Sequence, residues 1–223
     1  MTYMKAERVA NFVRTTARLA SIKGADNDNM SVFAAMSQIT EDLFLCGLRG
    51  LTPENLKKHG ITFVVNVTND LIDDAVPGVR YTRYAAVDEP TQDLKKYFHQ
   101  AADAIHDAIR AGGKVVVHCM AGVSRSCSIV LAYLVKYRNM TLREAFKFVR
   151  ERRSIVHPNY GFFRQLIEFE REIRISCEPS VKMVKLNEGS SEMVPDIYKE
   201  ECKGFIWLHS VKDKLREDRK GDS

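Results

Sequence analysis

The sequence predicts an α/β fold, one sheet with helices on both faces. Two patterns point to it. Short apolar runs alternate with segments of helical period, and each run is bounded by Gly, Pro or Thr turn and cap signals. In addition, 45% hydrophobic residues over 223 positions is enough to bury a core without covalent staples.

The first strand expected is Ile39 to Gly47, where apolar and polar residues alternate. Thr52-Pro53-Glu54 then reads as a helix start with proline at the first helical position. Ile61 to Val67 is a buried strand and Val79 to Val87 a third, followed by a helix from an N-cap at Thr91 to about Arg110. A Gly-Gly turn leads into Lys114-Val115-Val116-Val117-His118, a short β-branched run. Three helices follow, over about Ser126 to Tyr137, Thr141 to Arg152 and Asn159 to Ile175. The middle one opens on a capping box, Thr141-Leu142-Arg143-Glu144. Before all of this, residues 4–20 place Val9, Phe12, Val13 and Thr16 on one helical face, with Lys5, Arg8, Arg14 and Arg18 elsewhere. The expected organisation is therefore a basic amphipathic extension over residues 1–30, a main α/β domain over 37–176 and a C-terminal extension over 177–223.

Charge and cysteine usage exclude several classes. The net charge is +5, and residues 176–223 hold 9 Lys+Arg against 10 Asp+Glu, which leaves 25 against 19 for residues 1–175. That excess suits an anionic ligand, yet no aromatic-rich basic stripe accompanies it, so nucleic acid is not an expected partner. Cys46, Cys119, Cys127, Cys177 and Cys202 form neither paired metal-site clusters nor a compact disulfide framework, and read as reduced, intracellular thiols. No apolar stretch approaches the roughly 18 residues of a spanning helix, and no secretory leader pattern is evident.

The chemistry is concentrated in His118-Cys119-Met120-Ala121-Gly122-Val123-Ser124-Arg125-Ser126, which joins the last predicted strand to a helix. At such a junction several backbone N–H groups are unpaired and the helix dipole adds partial positive charge, so an anion is favoured there. Gly122 lets the loop curl into a nest in which the amides of Met120, Ala121, Gly122, Val123 and Ser124 surround a phosphate. Arg125 closes the ring, because its planar fork holds two phosphate oxygens at once. The same field favours negative charge on the Cys119 sulfur, so a thiolate is available as nucleophile at neutral pH. The natural reaction is phosphoryl transfer to sulfur followed by hydrolysis, with Ser126 stabilising the departing thiolate in the second step. His118 is expected to point away from the pocket and to shape the loop by hydrogen bonding. The alternative, an ordinary buried cysteine at a strand end, leaves the ordered Gly, Arg and Ser unexplained.

HCMAGVSRS resembles the HC-x5-R-S signature of cysteine-dependent tyrosine and dual-specificity phosphatases. Its continuation, AYLVKYRNMTLREAFKFVRERRSIVHPNYGFFRQLIEFE, is similar to the helical half of the small atypical members. SVKMV and VPDIYKEE look like the C-terminal segment of the subfamily of dual-specificity phosphatases fourteen, eighteen and twenty-one. The resemblance covers about residues 37 to 200. It implies a mixed, mostly parallel twisted sheet of four or five strands, no metal or other cofactor, and hydrolysis of phosphotyrosine and of phosphoserine or phosphothreonine on proteins. It also implies phosphorylated protein partners, with MAP kinase pathway components as candidates, and a cytoplasmic or nuclear setting. The basic N-terminal helix leaves a mitochondrial association open. The family's general acid lies on a loop before the catalytic strand and is best matched by Asp88, with Asp93 as the competitor. By the same resemblance Asn159 orders the phosphate loop. His157 stands where relatives usually carry arginine, so a contact near the pocket rim is expected to differ.

Three rivals are weighed on the residues. A phosphoinositide phosphatase would be expected to carry lysine inside the loop, and there is none. A phosphate-binding scaffold would have lost the nucleophile, the arginine or the acid, and all are present. A redox switch needs Cys46 or Cys127 to reach an oxidised Cys119, which spacing alone does not establish.

Overall fold

The computed structural model describes residues 32–70, 76–175, 178–186, 191 and 193–199. The expected helix at 4–20, residues 200–223 of the expected C-terminal extension, Cys177 and Cys202 lie outside the described residues. Strand β1 (Ser37–Gln38) is followed by β2 (Leu43–Gly47), α1 (Pro53–His59), β3 (Phe63–Asn66), β4 (Arg80–Arg83) and α2 (Phe98–Arg110). Then come β5 (Val115–Cys119), α3 (Arg125–Tyr137), α4 (Leu142–Arg152), α5 (Tyr160–Ile173), β6 (Met183–Lys185) and β7 (Met193–Pro195). The main sheet has five strands in the order β1-β2-β5-β3-β4. Only β1 runs antiparallel to its neighbour; the pairs β2–β5, β5–β3 and β3–β4 are parallel.

Strand β5 sits at the centre because all five of its residues are apolar or able to be buried, as a strand covered on both faces requires. Its alternating side chains feed two cores. Val116 joins Phe44, Cys46, Leu56, Ile61 and Val64 under α1, while Val115 and Val117 face the larger core built with α2, α3, α4 and α5. Helices therefore cover both faces, as the strand-helix alternation predicts. Helix α3 runs through the middle of the larger layer and is buried from Arg125 to Val135.

Three expected boundaries differ, the first being the strand expected over Val79 to Val87, which spans only Arg80–Arg83. The single strand over Ile39 to Gly47 is broken by a tight turn at Thr40-Glu41-Asp42, where the N–H groups of Ile39 and Thr40 both donate to the Leu43 carbonyl (2.8 and 3.1 Å). The helix expected from Thr91 starts only at Phe98, after a 3-10 turn over Lys95–Tyr97. The N–H groups of Leu94 and Lys95 are both held by the Gln165 side chain of α5, at 2.8 Å each, so a tertiary contact replaces the local cap. The other caps fall where the residues place them. Thr52 caps α1, Thr141 and Glu144 form the capping box of α4, and Asn159 caps α5.

Residues 178–186 and 193–199, within the expected C-terminal extension, lie against the main body. The antiparallel pair β6–β7 leads to Tyr198, which is buried against Phe146 and Phe163. Arg143 donates to Asp196 at 2.6 Å, and the buried Glu170 carboxylate accepts from both the N–H (2.8 Å) and the hydroxyl (2.7 Å) of Ser180.

Candidate active site

The loop from Met120 to Ser124 joins β5 to α3, and its backbone is held from outside at four successive carbonyls. Met120 O accepts from Leu48 N (3.1 Å), and Ala121 O and Gly122 O accept from the Arg153 guanidinium (3.0 and 2.8 Å). Val123 O accepts from His157 N (2.9 Å). Because the N–H and C=O of a planar peptide point in opposite directions, carbonyls tied outward turn the following amides inward. Gly122 makes the curl. Its φ is +67°, and a Cβ there would lie 2.6 Å from the backbone carbon and oxygen of Cys46. Gly47 at the end of β2 is equally closely approached, with Ala121 backbone 2.9 Å from the position of a Cβ.

Cys119 lies at the bottom of this curl, 1% exposed. Its sulfur accepts from Gly122 N at 3.3 Å and from the Ser126 hydroxyl at 3.1 Å, two donors that complement negative charge. Arg125, the first residue of α3, donates from Nη1 to Ala86 O at 3.1 Å. Its Nε lies 3.6 Å from Asp88 Oδ2 and is buried without a hydrogen-bond acceptor among the described residues.

Asp88 is brought to the loop from the other side. Its Oδ1 accepts from the Ser124 hydroxyl (2.8 Å) and from Asn159 Nδ2 (2.9 Å), which leaves Oδ2 toward Arg125. Ser124 Oγ in turn accepts from Asn159 N at 3.1 Å. The Asp88 segment is pinned further along, since Gln165 donates to Gln92 O at 2.8 Å and a Cβ at Gly161 would lie 1.9 Å from Pro90 O. Asp93, by contrast, is exposed and accepts from Lys96 N at 3.3 Å at the start of the 3-10 turn.

The ring of His118 does not make the loop hydrogen bonds the sequence leads one to expect. It is 1% exposed on the Val116 side of β5, and neither ring nitrogen has a hydrogen-bond partner among the described residues. Burial pushes its pKa down to about 4; the Cys119 backbone opposes this without reaching the ring in hydrogen-bond geometry, and the Arg125 charge adds to the depression. His118 is a neutral packing residue, and the hydrogen bonds that shape the loop come from Arg153 instead. Arg153 was not singled out from the sequence. It is 1% exposed, and besides the two loop carbonyls it donates to Val32 O, Ala35 O and Ser37 Oγ. A signal for it exists: the buried stripe of α4, Phe146 and Val149, continues at Arg153 in helical phase.

Cys46 and Cys127 are free and buried on opposite faces of the sheet. Burial pushes the Cys46 thiol up to about 12 against the opposing effect of Arg153, and burial likewise raises Cys127. Burial thus disfavours the thiolate form of both. The His157 ring stacks on Tyr198, with centroids 3.9 Å apart and planes 11° from parallel. No helix of the described residues is long and apolar enough to cross a membrane.

A family model described as "Dual specificity phosphatase, catalytic domain" matches residues 43–172. Dual specificity protein phosphatase 14 of Homo sapiens is 40% identical over 174 residues, which cover 77% of this chain and 84% of the relative. Dual specificity protein phosphatase 21 of Homo sapiens is 33% identical over 192 residues, 86% of this chain and 98% of the relative. Among solved structures, human DUSP28 superposes with a TM-score of 0.60 at 33% identity, covering 62% of this chain and 95% of that one. A mouse putative dual specificity phosphatase complexed with zinc tungstate gives 0.61 at 33% identity, covering 63% and 89%.

Proposed function

The chain belongs to the dual specificity phosphatase family, whose members are cysteine-based, metal-independent protein phosphatases, and we propose that Cys119 is its nucleophile, Arg125 its phosphate clamp and Asp88 its general acid. The observation that carries this reading is the set of four loop carbonyls tied outward around one buried sulfur. The inward amides of residues 121–124 and the Arg125 fork then surround a phosphoryl group in line with Cys119 Sγ.

In the first step the Cys119 thiolate attacks phosphorus, an S–P bond forms, and the O–P bond to the substrate breaks. Asp88 gives its proton to the departing oxygen from Oδ2, since Oδ1 already accepts two hydrogen bonds. In the second step the Asp88 carboxylate takes a proton from water as that water attacks phosphorus. The S–P bond breaks, phosphate leaves, and the Ser126 hydroxyl donates to the thiolate that reappears. Asn159 and Ser124 hold Asp88 in place, and Arg153 and His157 hold the loop. The substrates are phosphorylated proteins rather than phosphoinositides, because no lysine lines the loop interior. Signalling proteins of the cytoplasm or nucleus, MAP kinase pathway components among them, are the candidates carried from the resemblance.

The test is to quench the protein in acid during turnover of an aryl phosphate and locate phosphate by mass spectrometry. Phosphate bonded to Cys119 is expected, and none in Cys119→Ser. Full turnover by Cys119→Ser would overturn the covalent mechanism.

A further inference from the structure

The segment that carries Asp88 runs along one face of α5. Gly161, Gln165, Glu168 and Glu172, spaced three or four apart, make up that face, and residues 90–95 meet it in order. Pro90 passes so close to Gly161 that a Cβ there would lie 1.9 Å from the Pro90 carbonyl oxygen. At the far end Lys95 Nζ pairs with Glu168 (3.2 Å) and Glu172 (2.6 Å), both half-exposed, where ion pairs contribute little. Between these contacts stands Gln165, whose amide makes three bonds to backbone. Its Oε1 accepts from Leu94 N and Lys95 N, and its Nε2 donates to Gln92 O, each at 2.8 Å. A carboxylate there would set an oxygen against the Gln92 carbonyl, and an apolar side chain would leave all three groups without this partner.

Gln92 carries the hold back to Asp88. Its N–H donates to Glu89 O at 3.0 Å, and its side-chain Oε1 accepts from Val87 N at 3.4 Å, on the residue before Asp88. Ser124 and Asn159 fix the Asp88 carboxylate, while the backbone that delivers it is anchored through Gln92 to Gln165. A displacement of about 1 Å at a reacting group can cost about 10²-fold in rate, so this anchor bears on proton transfer as well as on stability. We propose that Gln165 is a positioning residue for the proton transfer, holding the backbone of residues 87–95 so that Asp88 meets the departing oxygen. The proposal rests on the reading of Asp88 as general acid above.

The experiment is a double-mutant cycle on the full chain, read as kcat/KM, which reports transfer to sulfur. The substrates are phenyl phosphate and dinitrophenyl phosphate, whose leaving group departs without a proton. Gln165→Met, of similar length, removes all three bonds and is expected to lower kcat/KM on phenyl phosphate by about ten-fold, but on dinitrophenyl phosphate by no more than about two-fold. In an Asp88→Asn background, which has no acid left to position, the same change should cost no more than about two-fold on phenyl phosphate. Gln165→Glu still accepts from Leu94 and Lys95 and loses only the bond to Gln92; it should show the same pattern with a loss of about three-fold, and it replaces the methionine variant should that one fail to fold. No loss on phenyl phosphate, an equal loss on the two esters, or a loss undiminished in Asp88→Asn would overturn the proposal and leave Gln165 a purely structural clasp. A parent protein that hydrolyses neither ester would instead overturn the phosphatase reading, and an Asp88→Asn protein as active as the parent on phenyl phosphate would overturn the acid assignment, each taking the proposal with it.

Discussion

A sulfur at the end of a strand is chemically ordinary until its surroundings hold it in one place and complement its charge, so individual side chains decide how much rate is lost on substitution. Asp88 is the clearest case, because one carboxylate oxygen is fixed by two donors and the other faces Arg125 Nε at 3.6 Å. Asp88→Asn is expected to slow hydrolysis of an alkyl or unactivated aryl phosphate by about 10²-fold, the usual size of a lost acid-base group. The loss should shrink for leaving groups acidic enough to depart unprotonated. Measured kcat/KM, which reports the transfer to sulfur and not the common second step, checks this across a leaving-group series, and an equal loss along the whole series would remove Asp88 as the acid. Asp93→Asn should leave kcat unchanged, since its carboxylate caps a 3-10 turn. Arg153 has a different effect because it touches no reacting atom. Arg153→Met strands the buried carbonyl of Gly122, at about 1 to 3 kcal/mol, and frees the part-buried carbonyl of Ala121. The urea midpoint should fall by a corresponding amount and kcat should fall with it, as the loop amides lose their fixed direction. A kcat retained in a protein destabilised by that much would show that Arg153 does not orient the amides.

Elements position these residues through their ends. Helix α5 contributes Asn159 as N-cap, and this residue does two things at once: Oδ1 accepts from Phe162 N at 2.9 Å while Nδ2 donates to Asp88. Serine caps a helix about as well as asparagine but cannot reach Asp88, so Asn159→Ser should cost under about 0.5 kcal/mol and still lower kcat. Asn159→Ala should cost about 1 kcal/mol as well as the rate. Thermal unfolding set against kcat for the pair separates the roles, and a normal kcat in Asn159→Ser would show that the Asp88 contact is idle. These ends also show where the sequence was readable. Caps at Thr52, Thr141 and Asn159, the strand at Val115 and the Cys119 to Ser126 run are local patterns, each set by residues within about one turn of each other. What escaped was set by distant partners. The late start of α2 depends on Gln165, some seventy residues on, and the loop's outward bonds come from Arg153 in a stretch of arginines that reads as solvated surface. His118 failed for a related reason: a signature histidine suggests hydrogen bonding, but the strand's alternation turns it into an apolar layer that offers no partner.

At the scale of the whole molecule, the depressed pKa of His118 ties stability to pH, because the ring sits in the middle strand between two cores and cannot be charged without placing a cation in the interior. In the unfolded chain the imidazole takes a proton at its ordinary value of 6.5, whereas in the folded protein it does so only at about 4. Between these values the unfolded chain binds more protons, so stability rises with pH through this window. The contribution is complete above 6.5, falls progressively as the pH drops, and is exhausted below about 4. Arg125, itself buried, reinforces the effect, since an imidazolium here would face its charge. With about 1.4 kcal/mol per pKa unit, the full loss is about 3 kcal/mol, and about 2 kcal/mol of it falls between pH 7 and pH 5. Surface carboxylates titrate mainly below this interval and do so equally in parent and variant, so a comparison isolates the histidine. Urea unfolding of the parent at pH 7 and pH 5 should show that loss, and His118→Gln, which has no proton to take up, should lose about 2 kcal/mol less over the same interval. The variant starts from a different stability, but the difference between its two pH values is what is read. An equal loss in parent and His118→Gln, or an imidazole resonance titrating near 6.5 in the folded parent, would show that the ring is hydrated and that the acid sensitivity of this fold arises elsewhere.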